Sequence, residues 1–262
     1  MNSPQHQEET MDKAPIEFWF DFSSPYSYLA SELIDDLAAK YGRKVKWRPM
    51  MLGAAFKASG LPLLITVPLK GEYSKRDFDR SARFLGIPYR FPSKFPLATL
   101  VAARGYYWLH GQDCATRPLA AEGDPRSGGV ATASGMATPN SDSRGLISAS
   151  AVAPSACAEG TAPRSGVARE FAHAVFRAYW VDDRDIGELP VVLEIVDHLG
   201  IDRDAFTTAI VTPEIKDRLK QETDAAIARG MFGAPYFMVD GEPFWGVDRL
   251  PQIEKWLQTG GF

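Results

Sequence analysis

The sequence predicts an α/β fold whose strands come from both ends of the chain and flank a helical middle. Short runs rich in aromatic and β-branched residues, typical of strands, occur at 16–22 and 45–47 and again at 236–239 and 243–245. Between these two groups, apolar residues recur at helical spacing. The 262 residues, of which 45% are hydrophobic and 24% charged, suffice for one large globular domain or two modest ones.

The first fifty residues predict a strand, a helix and a second strand. Residues 16–22 (IEFWFDF) form a short apolar and aromatic run, as in a buried strand. Ser23-Ser24-Pro25 is a helix start, because a hydroxyl can cap the first turn and proline suits a position within it. Apolar residues at helical spacing follow as far as Ala38, and residues 45–47 alternate as a strand. This order is that of a βαβ unit.

The middle of the chain is predicted to be helical. Gly86, Gly200 and Gly230 are plausible helix ends, because glycine tolerates the left-handed conformation that closes many helices. The predicted helices cover residues 73–85, 95–109, 168–180, 189–199 and 213–229.

Residues 111–167 have a different composition from the rest of the middle. They consist mainly of Ala, Gly, Ser, Thr and Pro, and no Phe, Trp or Tyr occurs between 109 and 170. Such a segment cannot bury enough apolar surface to offset the entropy of ordering it. We therefore expect a disordered insertion at 111–167, either between two helices or as a linker, and a flexible polar tail at 1–13.

The C-terminal part returns to strands. Residues 236–239 (YFMV) and 243–245 (PFW) are short apolar runs joined by Asp240-Gly241, a strong hairpin signal. Residues 247–257 then predict a last helix. Strands at both termini with helices between them indicate one α/β domain interrupted by a helical insertion.

Composition argues against several function classes. The net charge is −4, with 29 basic and 33 acidic residues and no Lys/Arg cluster, so nucleic acid is not expected as a partner. A membrane partner is not expected either, because no apolar run reaches spanning length, and the lack of a signal-like segment predicts a cytoplasmic protein. The two cysteines, Cys114 and Cys157, and the four histidines have no metal-ligand spacing, so no metal site is predicted.

Three motifs lie at predicted element ends, where α/β proteins commonly bind ligands. They are residues 21–27 at the first strand-to-helix turn, Gly233-Ala234-Pro235 before a strand, and Gly246-Val247-Asp248 before the last helix. The segment Ser24-Pro25-Tyr26-Ser27 has the frame of a C-x-x-C motif with serine in place of both cysteines. Each motif also has a plain structural interpretation, as a helix cap or a turn, and each is weak when taken alone.

Taken together, the stretches FDFSSPYSYLA, PLKGEYSKRDFDRSARFLG and GAPYFMVDGEPFWGVDRL resemble the 2-hydroxychromene-2-carboxylate isomerases. These enzymes are relatives of the kappa-class glutathione transferases and of the DsbA-like disulfide oxidases. The resemblance covers residues 14–256 apart from the insertion. It implies a thioredoxin-like domain, formed by residues 14–70 and 229–262, that is interrupted by an all-helical insertion domain at 71–228.

The resemblance also implies a glutathione-dependent isomerase of aromatic catabolism, naphthalene-like in substrate type, in which Ser24 stabilises the glutathione thiolate. The reaction interconverts 2-hydroxychromene-2-carboxylate and trans-o-hydroxybenzylidenepyruvate. The chemistry is consistent, because a thiol is a nucleophile only as thiolate and a hydroxyl donor at a helix start lowers its pKa. Serine, unlike cysteine, cannot form a disulfide with the bound tripeptide.

The remaining glutathione contacts are carried over by the same resemblance. Ala234, before a cis Pro235, would pair its backbone with the cysteinyl unit, while Val247 and Asp248 would hold the γ-glutamyl end. Lys70, which follows Val67-Pro68-Leu69, would approach the glycine carboxylate. By base rate Lys70 is a solvated surface lysine, and a family asparagine nine residues before it is replaced by Leu61.

No motif in the sequence identifies the residues that would bind the small aromatic carboxylate substrate. Residue type alone makes Arg48, Tyr73, Arg80 and Arg83 candidates for the carboxylate and phenol, and Trp245 a candidate aromatic wall. Two other functions stay open: a kappa-class-like glutathione transferase that conjugates electrophiles, and a DsbA-like thiol–disulfide oxidoreductase or its redox-inactive relative. A homodimer is possible.

Overall fold

The structure is a computed structural model that describes residues 14–115 and 166–262. One mixed sheet contains the strands, in the order β2-β1-β3-β4, with β1 parallel to β2 and antiparallel to β3 and with β3 antiparallel to β4. The strands are β1 (Ile16–Phe20), β2 (Val45–Pro49), β3 (Tyr236–Val239) and β4 (Glu242–Trp245). The sheet therefore joins the two ends of the chain, as the sequence predicts.

Ten α-helices are present in the described residues, and two single helical turns accompany them. The turns cover Leu64–Thr66 and Val247–Arg249. The helices are α1 (Pro25–Ser31), α2 (Ile34–Lys40), α3 (Leu52–Ser59), α4 (Lys70–Leu85), α5 (Leu100–Ala115), α6 (Val167–Trp180), α7 (Leu189–His198), α8 (Arg203–Ala209), α9 (Pro213–Ala228) and α10 (Leu250–Thr259).

Two predicted helices have different starts in the structure. The helix predicted from residue 95 begins at Leu100, because Pro96 lacks an N–H group and disfavours the helical conformation of Phe95 before it. The helix predicted from residue 73 begins three residues earlier, at Lys70.

Three further differences concern short helices. The predicted first helix is divided into α1 and α2, whose interruption lies at Glu32 and Leu33. Helices α3 and α8 were not predicted at all, because eight and seven residues are too few to show a clear helical period. The last predicted helix begins as the turn Val247–Arg249 and continues as α10.

The predicted insertion at 111–167 overlaps the described residues only at its two edges. Helix α5 continues to Ala115, so residues 111–115 are helical, and α6 begins at Val167. The rest of that segment, at 116–165, and the predicted tail at 1–13 lie outside the described residues.

The larger hydrophobic core lies on one face of the sheet. Phe18 of β1 packs against Trp47 and Phe237 with ring centroids 5.1 and 5.4 Å apart, and Phe20 packs against Phe176 of α6 at 5.5 Å. One core cluster thus contains side chains from the sheet and from the predicted helical insertion. The division into two domains stays a prediction.

A smaller core covers the opposite face of the sheet, around Trp19. Residues from α9 and from the segment that leads into β3 pack there, among them Ala226, Met231 and Ala234. The end of α9 and the loop after it are thereby fixed against the sheet. Among the described residues, no helix is both long enough and apolar enough to cross a membrane.

Candidate active site

Ser24 lies at the start of α1, where the chain leaves the central strand β1. It has extended backbone angles (φ −93°, ψ 116°), and its hydroxyl accepts a hydrogen bond from the Ser27 N–H at 3.2 Å, as an N-cap does. The same hydroxyl donates to the carbonyl of Ala234 at 2.9 Å. Only 4% of Ser24 is exposed. The predicted helix cap is therefore also a contact between the two ends of the chain.

The loop before β3 contains the predicted cis proline. The peptide bond between Ala234 and Pro235 is cis, and the Pro235 carbonyl accepts a hydrogen bond from the Gly246 N–H at 3.0 Å. Gly233 faces the indole of Trp245 so closely that a Cβ at position 233 would collide with Nε1. A series of hydrogen bonds and peptide bonds consequently connects Ser24, Ala234, Pro235 and Gly246.

The turn after β4 is formed by Gly246, Val247 and Asp248. Gly246 has a φ of 106°, and a Cβ on it would collide with the carboxylate of Asp248. Both the backbone conformation and the lack of space therefore require glycine at this position. Val247 is buried, whereas 68% of the Asp248 side chain is exposed. The Arg249 guanidinium lies 3.4 Å from Asp248 Oδ2. Asp248 thus presents a negative charge to solvent beside the cis-proline loop.

Lys70 is the first residue of the sixteen-residue helix α4 and is exposed. Before it, Leu69 has a φ of 67° and is 92% exposed, and the Lys70 N–H donates to the Pro68 carbonyl at 2.8 Å. A cation at a helix start adds to the partial positive charge there and does not offset it. No carboxylate among the described residues lies within ion-pair distance of Lys70.

Helices α1 and α4 are joined by a hydrogen bond from the Tyr26 hydroxyl to Asp77. Burial raises the pKa of Tyr26 well above its usual value, and the charges of Asp77 and Asp248 add to that effect. The tyrosine of the Ser-Pro-Tyr-Ser segment is therefore a neutral donor that ties α4 to the site.

The substrate-binding candidates chosen by residue type have different surroundings. Arg48 is paired with Glu17 and Glu222 and stacks on Trp19 at 4.7 Å, while Arg83 pairs with Asp79 on its own helix at 3.0 Å. These two cations are occupied by structural ion pairs.

The other candidates border the proposed site more closely. Arg80 pairs with Asp77 and donates to the Tyr73 hydroxyl at 2.9 Å, on the helix that begins with Lys70. Trp245 is 52% exposed and lies against Phe232, with ring centroids 4.8 Å apart. Of the five candidates, Trp245 has the closest established contact with the cis-proline loop.

Asp21 was not predicted as a functional residue, although it lies three residues before Ser24. It is buried and accepts hydrogen bonds from four donors, which come from Ser23, Leu52 and Thr99. A signal was present, since a carboxylate between two phenylalanines of the run IEFWFDF needs partners when the strand is buried. The partners themselves are distant in sequence.

A groove of about 620 Å³ lies next to this constellation, between α2, α4 and the start of α10. Val247 and Asp248 form part of its wall, and Arg80 lies at its edge. Its remaining wall is mainly apolar and includes Leu33, Leu37, Phe84, Leu85, Leu250 and Pro251. Ser24 is not part of the groove, so this concavity and the predicted reactive position are separate features.

The chain matches the family of the DSBA-like thioredoxin domain over residues 15–121 and 139–258. It is 28% identical over 247 residues to the 2-hydroxychromene-2-carboxylate isomerase of Sphingobium xenophagum, covering 92% of this chain and 97% of that protein. It is 24% identical over 253 residues to glutathione S-transferase kappa 2 of Caenorhabditis elegans, covering 92% and 91% of the two chains.

A solved 2-hydroxychromene-2-carboxylate isomerase has the same fold. Its TM-score with this structure is 0.66 at 25% identity, over 93% of this chain and 94% of that chain. The predicted thioredoxin-like α/β fold and the predicted relationship to these isomerases and to the kappa transferases are thus confirmed. Because the family match extends over most of the sequence, the protein belongs to the family of the DSBA-like thioredoxin domain.

Proposed function

We propose that the protein is a glutathione-dependent isomerase that interconverts 2-hydroxychromene-2-carboxylate and trans-o-hydroxybenzylidenepyruvate or close analogues. The observation that carries this proposal is the hydrogen bond between Ser24 and the Ala234 carbonyl before a cis proline. The position that a C-x-x-C frame gives to a reactive cysteine holds a hydroxyl, which forms no disulfide. A thiol that acts here has to come from a ligand, and the isomerase names of full-length relatives support this choice of reaction.

The described residues fit a peptide with the charges of glutathione. The exposed carboxylate of Asp248 suits the γ-glutamyl ammonium, and the backbone of Val247 suits the adjoining carboxylate. Ala234 and Pro235 offer the backbone edge for the cysteinyl unit. Lys70, which has no ion pair among the described residues, suits the glycine carboxylate. The two carboxylates and the ammonium of glutathione would thereby each meet a group of opposite charge or partial charge.

Ser24 would act on the ligand sulfur through its single proton. That proton is directed at the Ala234 carbonyl, so the hydroxyl would turn from this acceptor toward the sulfur. A hydrogen bond to the charged form lowers a thiol pKa, and the Ser27 N–H supports the serine oxygen as it does so. When bound, glutathione supplies the thiolate nucleophile. The cost of releasing Ala234 limits how far Ser24 can lower that thiol pKa.

The aromatic substrate would lie against the exposed face of Trp245. An indole beside the cis-proline loop offers a planar apolar surface, and aromatic rings stack favourably on such a surface. The proposal includes a cytoplasmic location, where reduced glutathione is maintained.

A spectrophotometric assay with 2-hydroxychromene-2-carboxylate, with and without glutathione, tests the proposal. We expect turnover only with glutathione, and a strong loss of activity in Ser24→Ala. Ser31→Ala is the matched control, because it also removes a buried hydroxyl from α1, one that donates to the Tyr28 carbonyl at the far end of the helix. Equal rates with and without glutathione would contradict the mechanism.

Product analysis distinguishes the kappa-class-like transferase. Its relatives span nearly the same length of chain, and both functions use the same thiolate. A stable glutathione conjugate as the final product would favour the transferase function over the isomerase function. Insulin reduction by a variant in which Cys114 and Cys157 are both changed to serine would instead favour a DsbA-like oxidoreductase.

A further inference from the structure

Asp21 is a carboxylate buried at the end of the central strand β1, with 3% of its surface exposed. Its Oδ1 accepts hydrogen bonds from the Ser23 N–H and hydroxyl, both at 2.8 Å, and from the Thr99 hydroxyl at 3.0 Å. Its Oδ2 accepts the Leu52 N–H at 2.8 Å. Four donors on one carboxylate leave little freedom for any of them.

These donors come from three segments that are far apart in the sequence, and each segment starts a helix. Ser23 precedes α1, Leu52 is the first residue of α3, and Thr99 precedes the first residue of α5. The Leu52 N–H is one of the first-turn donors that a helix cannot satisfy itself. Asp21 therefore fixes three helix starts relative to the end of β1.

All four donors are neutral, and no Lys, Arg or His side chain in the described parts of the chain pairs with Asp21. Burial raises the pKa of Asp21, since a buried charge is costly, and the four hydrogen bonds act in the opposite direction. A buried carboxylate whose hydrogen bonds are all made helps to select one arrangement of the segments that it joins.

The hydrogen bonds of Asp21 fix the position of Ser24 in the turn. The Asp21 carbonyl accepts the Ser24 N–H at 3.0 Å, so its backbone and its side chain together hold both residues of the turn. Ser24 must in addition meet Ala234, which is 210 positions away in the sequence, at 2.9 Å. A shift of the turn by a few tenths of an ångström would weaken that contact.

We propose that Asp21 is a positioning residue for Ser24: its carboxylate holds the turn at 23–24 against the starts of α3 and α5, so that the group at position 24 faces the cis-proline loop. The consequence for catalysis rests on the proposed function, in which Ser24 stabilises a thiolate. The positioning itself does not, and it can be measured without glutathione.

The test places a thiol at position 24 and reads its pKa. Ser24→Cys is made in a background in which Cys114 and Cys157 are changed to serine, and the thiol is titrated by its thiolate absorbance. Thr99→Val is then added, because it removes one donor to Asp21 and keeps the shape of the side chain. We expect the thiol pKa to rise by about half a unit or more, since a turn that is held less firmly aligns the Ser27 N–H less well with the thiolate.

Two controls separate positioning from stability. Thr99→Ser keeps the hydroxyl and is expected to restore the original thiol pKa. Ser31→Ala removes another buried hydroxyl from α1 and is expected to lower the melting temperature and leave the thiol pKa unchanged. A thiol pKa that does not respond to Thr99→Val, or that responds equally to Ser31→Ala, would overturn the proposal.

A second measurement uses the native serine. The thiolate absorbance of bound glutathione is titrated in the wild type, Thr99→Val and Thr99→Ser, and the same rise is expected for the valine variant alone. A wild type that binds no glutathione would contradict the proposed function, and the thiol at position 24 would still decide the role of Asp21. An unchanged pKa of bound glutathione in Thr99→Val would count against positioning.

Discussion

The proposed glutathione site has two parts that differ in burial: a floor formed by Asp21, Ser24 and Ala234, and a proposed rim formed by Lys70 and Asp248. The floor is buried and its polar atoms are held by hydrogen bonds between 2.8 and 3.2 Å. The rim is exposed and carries opposite charges at two helix starts or turns. The floor depends on geometry, while the rim depends on charge that water and salt can screen.

This difference predicts how substitutions will act. A change in the floor removes a partner that water cannot replace, so it affects the reactive group or the fold strongly. A change in the rim removes a charge from a solvated position, so it affects ligand affinity modestly and in a salt-dependent way. The expected effects therefore decrease from Ser24 and Asp21 to Asp248 and Lys70.

The largest effect is expected for Ser24→Ala. The variant loses the hydroxyl that would stabilise the thiolate, and we expect turnover to fall about 100-fold, as for the loss of one donor to a developing charge. The affinity for glutathione should change little, because the proposed contacts at Asp248 and Lys70 remain. Steady-state kinetics at saturating glutathione measures the effect, and a loss confined to KM would argue against this role.

The next effect is expected for Asp21→Asn, and it concerns stability. An amide offers one oxygen and one NH2 group, so at least one of the four donors loses its acceptor. We expect a loss of about 1 to 3 kcal/mol in the free energy of unfolding. Denaturant titration measures it. A variant as stable as the wild type would show that the donors around Asp21 are satisfied in another way.

The effect of Asp21→Asn on stability is predicted to depend on pH. Because burial raises the pKa of Asp21 in the folded state, folded protein binds the proton more tightly than unfolded protein does. This contribution to stability is complete below the unfolded pKa and is lost as the pH rises through the folded pKa. The difference in melting temperature between wild type and Asp21→Asn should therefore be larger at acidic than at alkaline pH. A difference that grows with pH would indicate a lowered pKa.

How much of the site can be predicted from the sequence depends on how far apart in the sequence the contacting residues are. Ser24 and the cis Pro235 could be predicted because short motifs carry them, and their mutual contact follows from the fold that those motifs identify. Asp21 could be suspected from its place in an apolar strand. Its partners could not, because the Leu52 N–H belongs to a short helix without a clear period and Thr99 lies where the sequence predicts the interior of a helix.

A third, smaller effect is expected for Asp248→Asn. The carboxylate is 68% exposed, so its attraction to a ligand ammonium is partly screened, and we expect glutathione affinity to fall about tenfold. The asparagine keeps the size of the side chain beside Gly246, which limits any change in the turn. Isothermal titration measures the affinity. If Asp248→Asn bound glutathione as tightly as the wild type, the γ-glutamyl end would have to lie elsewhere.

The smallest effect is expected for Lys70→Gln, and its dependence on salt is more informative than its size. Lys70 is exposed, and at physiological ionic strength a charge is screened over about 8 Å, so we expect only a two- to fivefold loss of affinity, about 0.4 to 1 kcal/mol in binding free energy. Raising the salt concentration should weaken glutathione binding to the wild type and bring it toward that of Lys70→Gln. Lys75→Gln is the matched control, because Lys75 lies on the same helix and pairs with Glu72 at 2.8 Å. Equal salt dependence in all three proteins would mean that the glycine carboxylate is held by another group, and Lys70 would then be a solvated lysine at the start of α4.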